Sequence, residues 1–288
     1  MNSKRIFIIF GILACIVLDG ALWIRIASSS NTLVPSITFL DVGQGDASLI
    51  FIPPDIHILI DAGPDDRVLR AIERALPPDN RTIDLAIITH AQLDHFGGFR
   101  SLLDRYHIGT FLMSGHPGEP DKEMWTDLLA RIHKASVPIV RTGAGDRVRI
   151  SDSSLSILAP SLEELGRGEV NDTGIVARLD TPFFRALFTA DIGSGHEQSL
   201  LAHPEQLAAD ILKVGHHGSA YSSSDAFLSA VGARIATIGV GTKNSYGHPS
   251  PNTLARLAAH GLSVFRTDQN GIIRIVPNGK VLKVIGIK

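Results

Sequence analysis

From residue 37 onward, short β-branched runs alternate with stretches whose apolar residues recur every three or four positions. Ile37 to Leu40, Ala47 to Ile52 and Ile56 to Ile60 read as strands, separated by turns at Gly43-Gln44-Gly45 and Pro53-Pro54-Asp55, since Gly and Pro clusters end an extended run. Asp65 to Leu76 carries apolar residues at 68, 69, 72, 75 and 76, the spacing of one helix face. Ile83 to Ile88 reads as a buried strand. A helix opens at Asp94 and continues through Phe99 to Tyr106, and Asp121 to Ala135 forms another, stopped by Val137-Pro138. Strands follow at Arg147 to Ile150, Ser154 to Leu158, Gly174 to Leu179, Phe184 to Thr189, Asp210 to Val214 and Arg234 to Ile238, then near Val264, at Ile272 to Val276 and at Val281 to Ile285. Helices are expected at His196 to Ala202, near Asp225 to Ala230 and at Pro251 to His260. Such a mixture suits two central sheets covered outside by helices.

The first 30 residues break this pattern. Lys4 and Arg5 precede the uncharged, largely apolar run Ile6 to Leu18, and after Asp19 and Gly20 the apolar character resumes to Ala27. Ile6 to Ala27 is long enough to span about 30 Å of hydrocarbon, and the basic start places the following domain outside the membrane. Residues 1–30 therefore read as a membrane anchor, or as a cleaved signal of a secreted protein, with 31–36 a polar linker and 37–288 the folded domain. Of 27 basic and 29 acidic residues, three basic and one acidic fall in the anchor, leaving the domain about four units acidic. No global positive field attracts nucleic acid, so a polyanion would need local Arg, Lys or metal. With Cys15 the only cysteine, a metal site must be built from His, carboxylate and neutral oxygen.

Five strand ends carry ligand-type residues. Ile60 leads to Asp61-Ala62-Gly63, Ile88 to Thr89-His90-Ala91-Gln92-Leu93-Asp94-His95, and Phe184 to Thr189 leads to Asp191. Val214 leads to Gly215-His216-His217-Gly218-Ser219, and Val240 leads to Lys243-Asn244-Ser245-Tyr246-Gly247-His248-Pro249. Imidazole nitrogen and carboxylate oxygen are the donors that zinc and manganese accept. A turn after Ile88 followed by a helix opening at Asp94 lets His90, Asp94 and His95 converge. No serine-nucleophile elbow or G-x-x-x-x-G-K-[ST] phosphate loop occurs.

These clusters, with Phe39-Leu40-Asp41-Val42-Gly43-Gln44-Gly45-Asp46-Ala47 and Arg266-Thr267-Asp268-Gln269-Asn270-Gly271, resemble the motifs of the metallo-β-lactamase superfamily, in particular the ComEC-like hydrolase domain of competence proteins. The resemblance covers about 37 to 276 and implies an α/β fold: an αββα sandwich of two central mixed sheets flanked by helices. A single anchor cannot hold the transport channel that full-length members of that group carry, so a stand-alone form is expected. Where the superfamily has H-x-H-x-D-H, and ComEC-like members often have aspartate at the middle position, this chain has Gln92; counting back from Asp191 to the usual third histidine reaches Asn171. One implied metal pocket is then His90, Gln92 and Asn171, and the other Asp94, His95 and His216 or His217, with Asp191 reaching both. Amide oxygen is a poor zinc ligand and acceptable to harder cations, so the divalent metal is expected to be manganese or zinc, with one firm site and one weak or substrate-assisted site.

The function this implies is a metal-dependent hydrolase. More finely, it is a phosphodiesterase or nuclease acting on single-stranded DNA outside the cytoplasmic membrane, related to DNA uptake. Asp94 or Asp191 would orient the attacking water, and Lys243 and His248 would neutralise charge on phosphate. The alternative, motivated by Gln92 and Asn171, is a degenerate non-catalytic domain that binds DNA or a partner. Hydrolysis of a β-lactam or thioester would keep the fold but normally needs a full zinc site. Asp41 and Asp46 read equally as pins of the Gly43–Gly45 turn, and Asp61 as a loop holder or the orienter of His90. One of His216 and His217 is expected to turn away and bond backbone. Arg67, Arg70, Arg74 and Arg81 read either as a basic edge for a nucleic-acid backbone or as an exposed face mixed with Asp65, Asp66 and Glu73.

Overall fold

Isoleucines at alternate positions put one face of each early strand into an apolar interior, and the chain pairs accordingly. The computed structural model describes residues 33–115, 122–167 and 170–287, with position 19. Strands β1 (Ser36–Phe39), β2 (Ser48–Ile52), β3 (Ile56–Ile60), β4 (Thr82–Ile88), β5 (His107–Met113) and β6 (Ile139–Arg141) lie in one sheet. A second sheet is built from β7 (Arg147–Ile150), β8 (Ser153–Ala159), β9 (Val176–Asp180), β10 (Arg185–Phe188), β11 (Ile211–Lys213), β12 (Ile235–Ile238) and β13 (Ser263–Arg266). The chain then returns to the first sheet as β14 (Ile272–Asn278), which pairs with β1, and β15 (Val281–Ile287).

Both sheets are mixed. β3 to β6 run parallel, as do β10 to β13, while the remaining neighbours are antiparallel. Ile37, Ile50, Ile58 and Ile275 from one sheet pack with Leu155, Leu179, Phe188 and Ile211 from the other in a core between them. Two further apolar clusters lie on the outer faces. One joins Leu59 and Phe111 to helix residues Val68, Phe99 and Leu128; the other joins Leu212 and Ala236 to Phe227 and Leu257. This is the expected sandwich of helices, two mixed sheets and helices.

Three sequence expectations need correction. The helix after Asp94 is two short segments, Leu93–Phe96 and Phe99–Leu102, and ends before Tyr106. Its ladder is interrupted because the Asp94 carbonyl accepts from Asp46 N–H, and Gly98 N–H donates to Gly63 O instead. Strands β5 and β6 were not foreseen: β5 contains Gly109, which lies against the Asp84 carbonyl, and β6 is an exposed three-residue edge with no periodicity to read. A helix at Leu162–Arg167 was also missed, although Ser161 and Glu164 form a reciprocal capping box at its start.

The folded unit is Pro35–Lys288. The segment read as an anchor or signal, 1–30, lies outside the described residues apart from position 19. Among the described residues no helix is long and apolar enough to cross a membrane.

Candidate metal centre

The parallel strands β3, β4, β10, β11 and β12 end at one edge of the sandwich, where ligands of open α/β sheets collect. Past β3, Asp61 turns with φ 58°. Past β4 come Thr89 and His90, then the turn carrying Asp94 and His95. Ala190 (φ 46°) precedes Asp191 after β10. After β11, His216 and His217 both adopt left-handed backbone, φ 49° and 50°, which non-glycine residues rarely take and which tends to persist at functional sites.

Four side chains meet there. His95 donates from Nδ1 to Asp61 Oδ2 at 2.8 Å, which aims its Nε2 at Asp191 Oδ1, 3.4 Å away. His217 donates from Nδ1 to the Gly239 carbonyl at 2.8 Å, which aims its Nε2 at Asp94 Oδ2 (3.2 Å) and Asp191 Oδ2 (3.5 Å). A hydrogen bond on one ring nitrogen fixing the tautomer is how proteins prepare the other as a metal ligand. His95 is fully buried and Asp191 is 1% exposed. His95 Nε2 and Asp191 Oδ1 have no hydrogen-bond partner among the described residues. Buried polar atoms seldom go unpaired, so the donor set fits a divalent cation between these groups.

Asp46 joins the cluster from behind. Asp46, His95, Asp191 and His217 each place a ligand-type atom within 4.8 Å of the others. Asp46 Oδ1, however, is 3.5 Å from His217 Nδ1, the nitrogen on the far side of the ring from Asp94 and Asp191. Its other oxygen is ion-paired with buried Lys213, whose ammonium also donates to Val214 O at 3.0 Å. We therefore read Asp46 as support for His217 rather than as a ligand. Gly239 makes this packing possible, since a Cβ there would stand 2.2 Å from Asp46 Oδ1.

The electrostatics follow the geometry. Burial alone would push His217 down, but Asp191 and Asp46 outweigh it and raise it to about 10. His95 is likewise held well above its usual range by Asp191 and Asp61 against the effect of burial. Burial would raise Asp191, yet His217 and His95 hold it well below the carboxylate range. Burial would also raise Asp46, but Lys213 and His217 hold it at about 2. A cation arriving at His95 and His217 must displace their protons, and protons win at low pH. Metal affinity is thus expected to keep rising with pH up to about 10, where His217 gives up its proton unaided, with one to about two protons released per ion below that. Titration calorimetry in buffers of different ionisation enthalpy checks this; pH-independent affinity without proton release would contradict it.

The remaining expected residues fall around this core. His90 is pushed down to about 3 by burial and then by the His95 charge, so it is neutral; its ring lies 4.1 Å from that of His95. Its Nε2 faces Gln92 Oε1 at 3.3 Å, while Gln92 donates its amide N–H to Asn171 Oδ1. Neither His216 nor His217 turns away: the backbone-bonded ring, His217, is the one facing the carboxylates. His216 is partly exposed, with Nε2 4.0 Å from Asp191 Oδ2 and its ring 5.7 Å from that of His248. Lys243, Asn244 and His248 line the cleft of about 630 Å³ that opens onto Asp94, Asp191 and His217. Asn244 is a loop brace, donating to Gly241 O and His248 O and accepting from His248 N–H.

Asp41 accepts from Gly43 N–H at 3.3 Å, as a turn pin should. Asp61 orients His95 rather than His90, and it also accepts from Thr89 N–H (2.9 Å) and Thr89 Oγ1 (2.8 Å). Removing its charge in Asp61→Asn is expected to weaken metal binding about 10- to 100-fold, measured by competition with a chelator; unchanged affinity would contradict this role. Sequence reasoning missed the parts played by Thr89, Lys213 and Asp46. A signal existed for Lys213, a lone charge inside the apolar run Ile211-Leu212-Lys213-Val214.

A family model of the metallo-β-lactamase superfamily matches residues 40–241. The chain belongs to the metallo-β-lactamase superfamily. Among its curated relatives, ComE operon protein 3 of Bacillus subtilis (strain 168) is 28% identical over 256 residues, 83% of this chain and 32% of that protein. Competence protein ComA of Neisseria gonorrhoeae is 29% identical over 247 residues, 83% of this chain and 32% of the relative. The chain thus spans about a third of the length of these curated relatives. Solved structures share the fold at low sequence identity. YhfI from Bacillus subtilis gives a TM-score of 0.52 at 14% identity, covering 81% of this chain and 95% of that one. A diphosphatase from the PhnP family gives 0.51 at 13%, covering 88% and 99%. Zn²⁺-bound PqqB from Methylobacterium extorquens gives 0.52 at 14%, covering 80% and 97%. At such identities these neighbours support the fold alone. Superfamily membership and the Asp/His cluster together mark the chain as a metal-dependent hydrolase with a divalent-metal site.

Proposed function

We propose that this chain is a phosphodiesterase that cuts single-stranded DNA outside the cytoplasmic membrane, with one divalent ion, manganese or zinc, held by Asp94, His95, Asp191 and His217. The observation that carries the reading is the pair of orphaned buried atoms, His95 Nε2 and Asp191 Oδ1, facing each other beside the His217 imidazole at the floor of an open cleft. The competence-related names of the curated relatives support DNA as substrate and the extracytoplasmic side as location. The basic, apolar first 30 residues support membrane attachment.

A divalent cation in this position supplies Lewis acidity and lowers the pKa of water toward ~7. The residues do the rest. Asp61 and Gly239 hold His95 and His217 in register. Asp94, partly exposed at the cleft and kept ionised by His95 and His217 against burial, would help hold the ion and orient the attacking water. Lys243, exposed on the cleft wall, and His248, its pKa lowered by burial and by His216, stand where phosphate oxygens would sit. His216 faces the same space.

Gln92 and Asn171 bond to each other across the pocket that a second ion would use, which supports a single ion. Mass spectrometry of the intact protein is expected to find one ion per chain. Gln92→Asp, which restores an anionic ligand beside His90, is expected to admit a second. Two ions of similar affinity in the unsubstituted chain would contradict this. The same amide pair is what favours the second reading, a non-catalytic DNA-binding domain. Chelator-stripped protein incubated with labelled single-stranded DNA, with and without manganese or zinc, separates the two. Cutting only with metal supports the phosphodiesterase; tight binding without cutting under every condition supports the binding domain.

A further inference from the structure

We propose that the outer face of helix Arg67–Ala75 is a phosphate track that leads a single strand of DNA to the candidate metal centre; this rests on the phosphodiester reading of that centre. Arg67, Arg70 and Arg74 are all exposed, while Val68, Ala71 and Ile72 of the same helix are buried. The spacing i, i+3, i+7 puts the three guanidinium groups in one stripe about 10 Å long. They line a cleft of about 580 Å³. Arg67 also lines the cleft of the metal centre, so the two depressions share one wall.

The charges leave two of the three stripe arginines free to bind. Arg67 is held in a two-pronged pair with Asp65, Nε at 2.9 Å from Oδ1 and Nη2 at 2.9 Å from Oδ2. Of the two carboxylates lining the same cleft, Asp268 is taken by Arg266 at 2.9 Å, and Asp41 accepts from Gly43 N–H. Glu73 turns to Arg81 at 3.6 Å. Among the described residues Arg70 and Arg74 make neither an ion pair nor a hydrogen bond. Two unspent guanidiniums on an otherwise acidic domain, in line with a hydrolytic centre, match an extended chain of phosphates better than a single anion. Arginine's planar fork is the side chain suited to phosphate oxygens.

The site cleft adds a place for a base. Tyr246 on its wall is 70% exposed and stacks on His248, centroids 6.0 Å apart and planes 15° from parallel. An aromatic face beside a basic groove is the usual combination for an unpaired strand, which offers both a free base face and a flexible backbone.

The test is the salt dependence of binding to a labelled oligothymidylate by the full chain and by Arg70→Gln/Arg74→Gln. Each phosphate contact contributes a slope of about −0.7 in log affinity against log salt for single strands. The double variant is therefore expected to lose about 1.4 from the slope and at least tenfold in affinity at about 50 mM salt, with its melting temperature unchanged. Arg105→Gln/Lys134→Gln removes equal charge elsewhere on the surface and is expected to leave the slope as it is. An equal fall in both double variants, or none in the first, overturns the track. Loss of binding to anionic vesicles without loss of oligonucleotide binding also overturns it, in favour of a membrane-facing surface. If the unsubstituted chain binds with the expected slope but cuts nothing, the catalytic reading fails and the track stands. If it cuts DNA and the Arg70/Arg74 variant matches it in slope and KM, the track fails and the catalytic reading stands.

Discussion

Replacing Asp191 with asparagine is expected to lower metal-dependent cleavage at least about a thousandfold, the several kcal/mol that a bound cation contributes to the transition state. One oxygen of this carboxylate faces His95 Nε2 at 3.4 Å and the other faces His217 Nε2 at 3.5 Å, at 1% exposure. Asparagine keeps the shape but removes the charge, and its amide N–H₂ group would confront an imidazole nitrogen with a donor. The ion should be lost together with the activity. Metal content and cleavage rate measured on the same sample check this, with circular dichroism to confirm folding. A variant that retains a stoichiometric ion and activity within about tenfold of the unsubstituted protein would remove Asp191 from the centre.

The second large effect falls on stability. Lys213 and Asp46 are each 4% exposed and pair across strand β11 and the turn that follows Gly45. Lys213→Met keeps the volume and leaves a buried carboxylate without its cation, which costs about 3–5 kcal/mol. For a domain of this size that corresponds to a fall in Tm of roughly 10 °C. Lys213→Met/Asp46→Leu leaves no charge behind and should recover much of the loss. Thermal unfolding of the metal-free proteins separates these outcomes. A single variant melting within about 1 °C of the parent would show that the pair carries no such load.

Much of the architecture was legible because alternation is a local signal. The isoleucines of Ile56–Ile60 and the valine and isoleucine faces of the later strands announce their elements directly. Elements that depend on a neighbour for their identity were not legible. Strand β5 holds Gly109 where the backbone of Asp84 presses close, and its pairing with β4 overrides a weak local pattern. The break after Phe96 follows from hydrogen bonds to residues 46 and 63, thirty or more positions earlier in sequence.

The site divides in the same way. His90, Asp94, His95, Asp191 and the His216-His217 pair stand out because each follows a strand, and the structure sets Asp191 between His95 and His217, with Asp94 against His217. The supporting roles were hidden because they depend on burial. Asp46 sits in a glycine-rich turn and so reads as a turn residue until Lys213 is seen beneath it. Asp61 selects His95 over His90 by a register that only the folded sheet defines. The arginine stripe was visible as spacing, but which arginines remain unpaired was not.

The central claim is that His95, His217, Asp191 and Asp94 hold one catalytic cation. Anomalous diffraction from crystals grown with manganese, recorded at its absorption edge, tests it most directly. The account predicts a single strong peak within about 2.0–2.3 Å of His95 Nε2, His217 Nε2 and an Asp191 oxygen, with no second peak between His90, Gln92 and Asn171. A peak confined to His90, Gln92 and Asn171, or none within coordinating distance of Asp191, would contradict it.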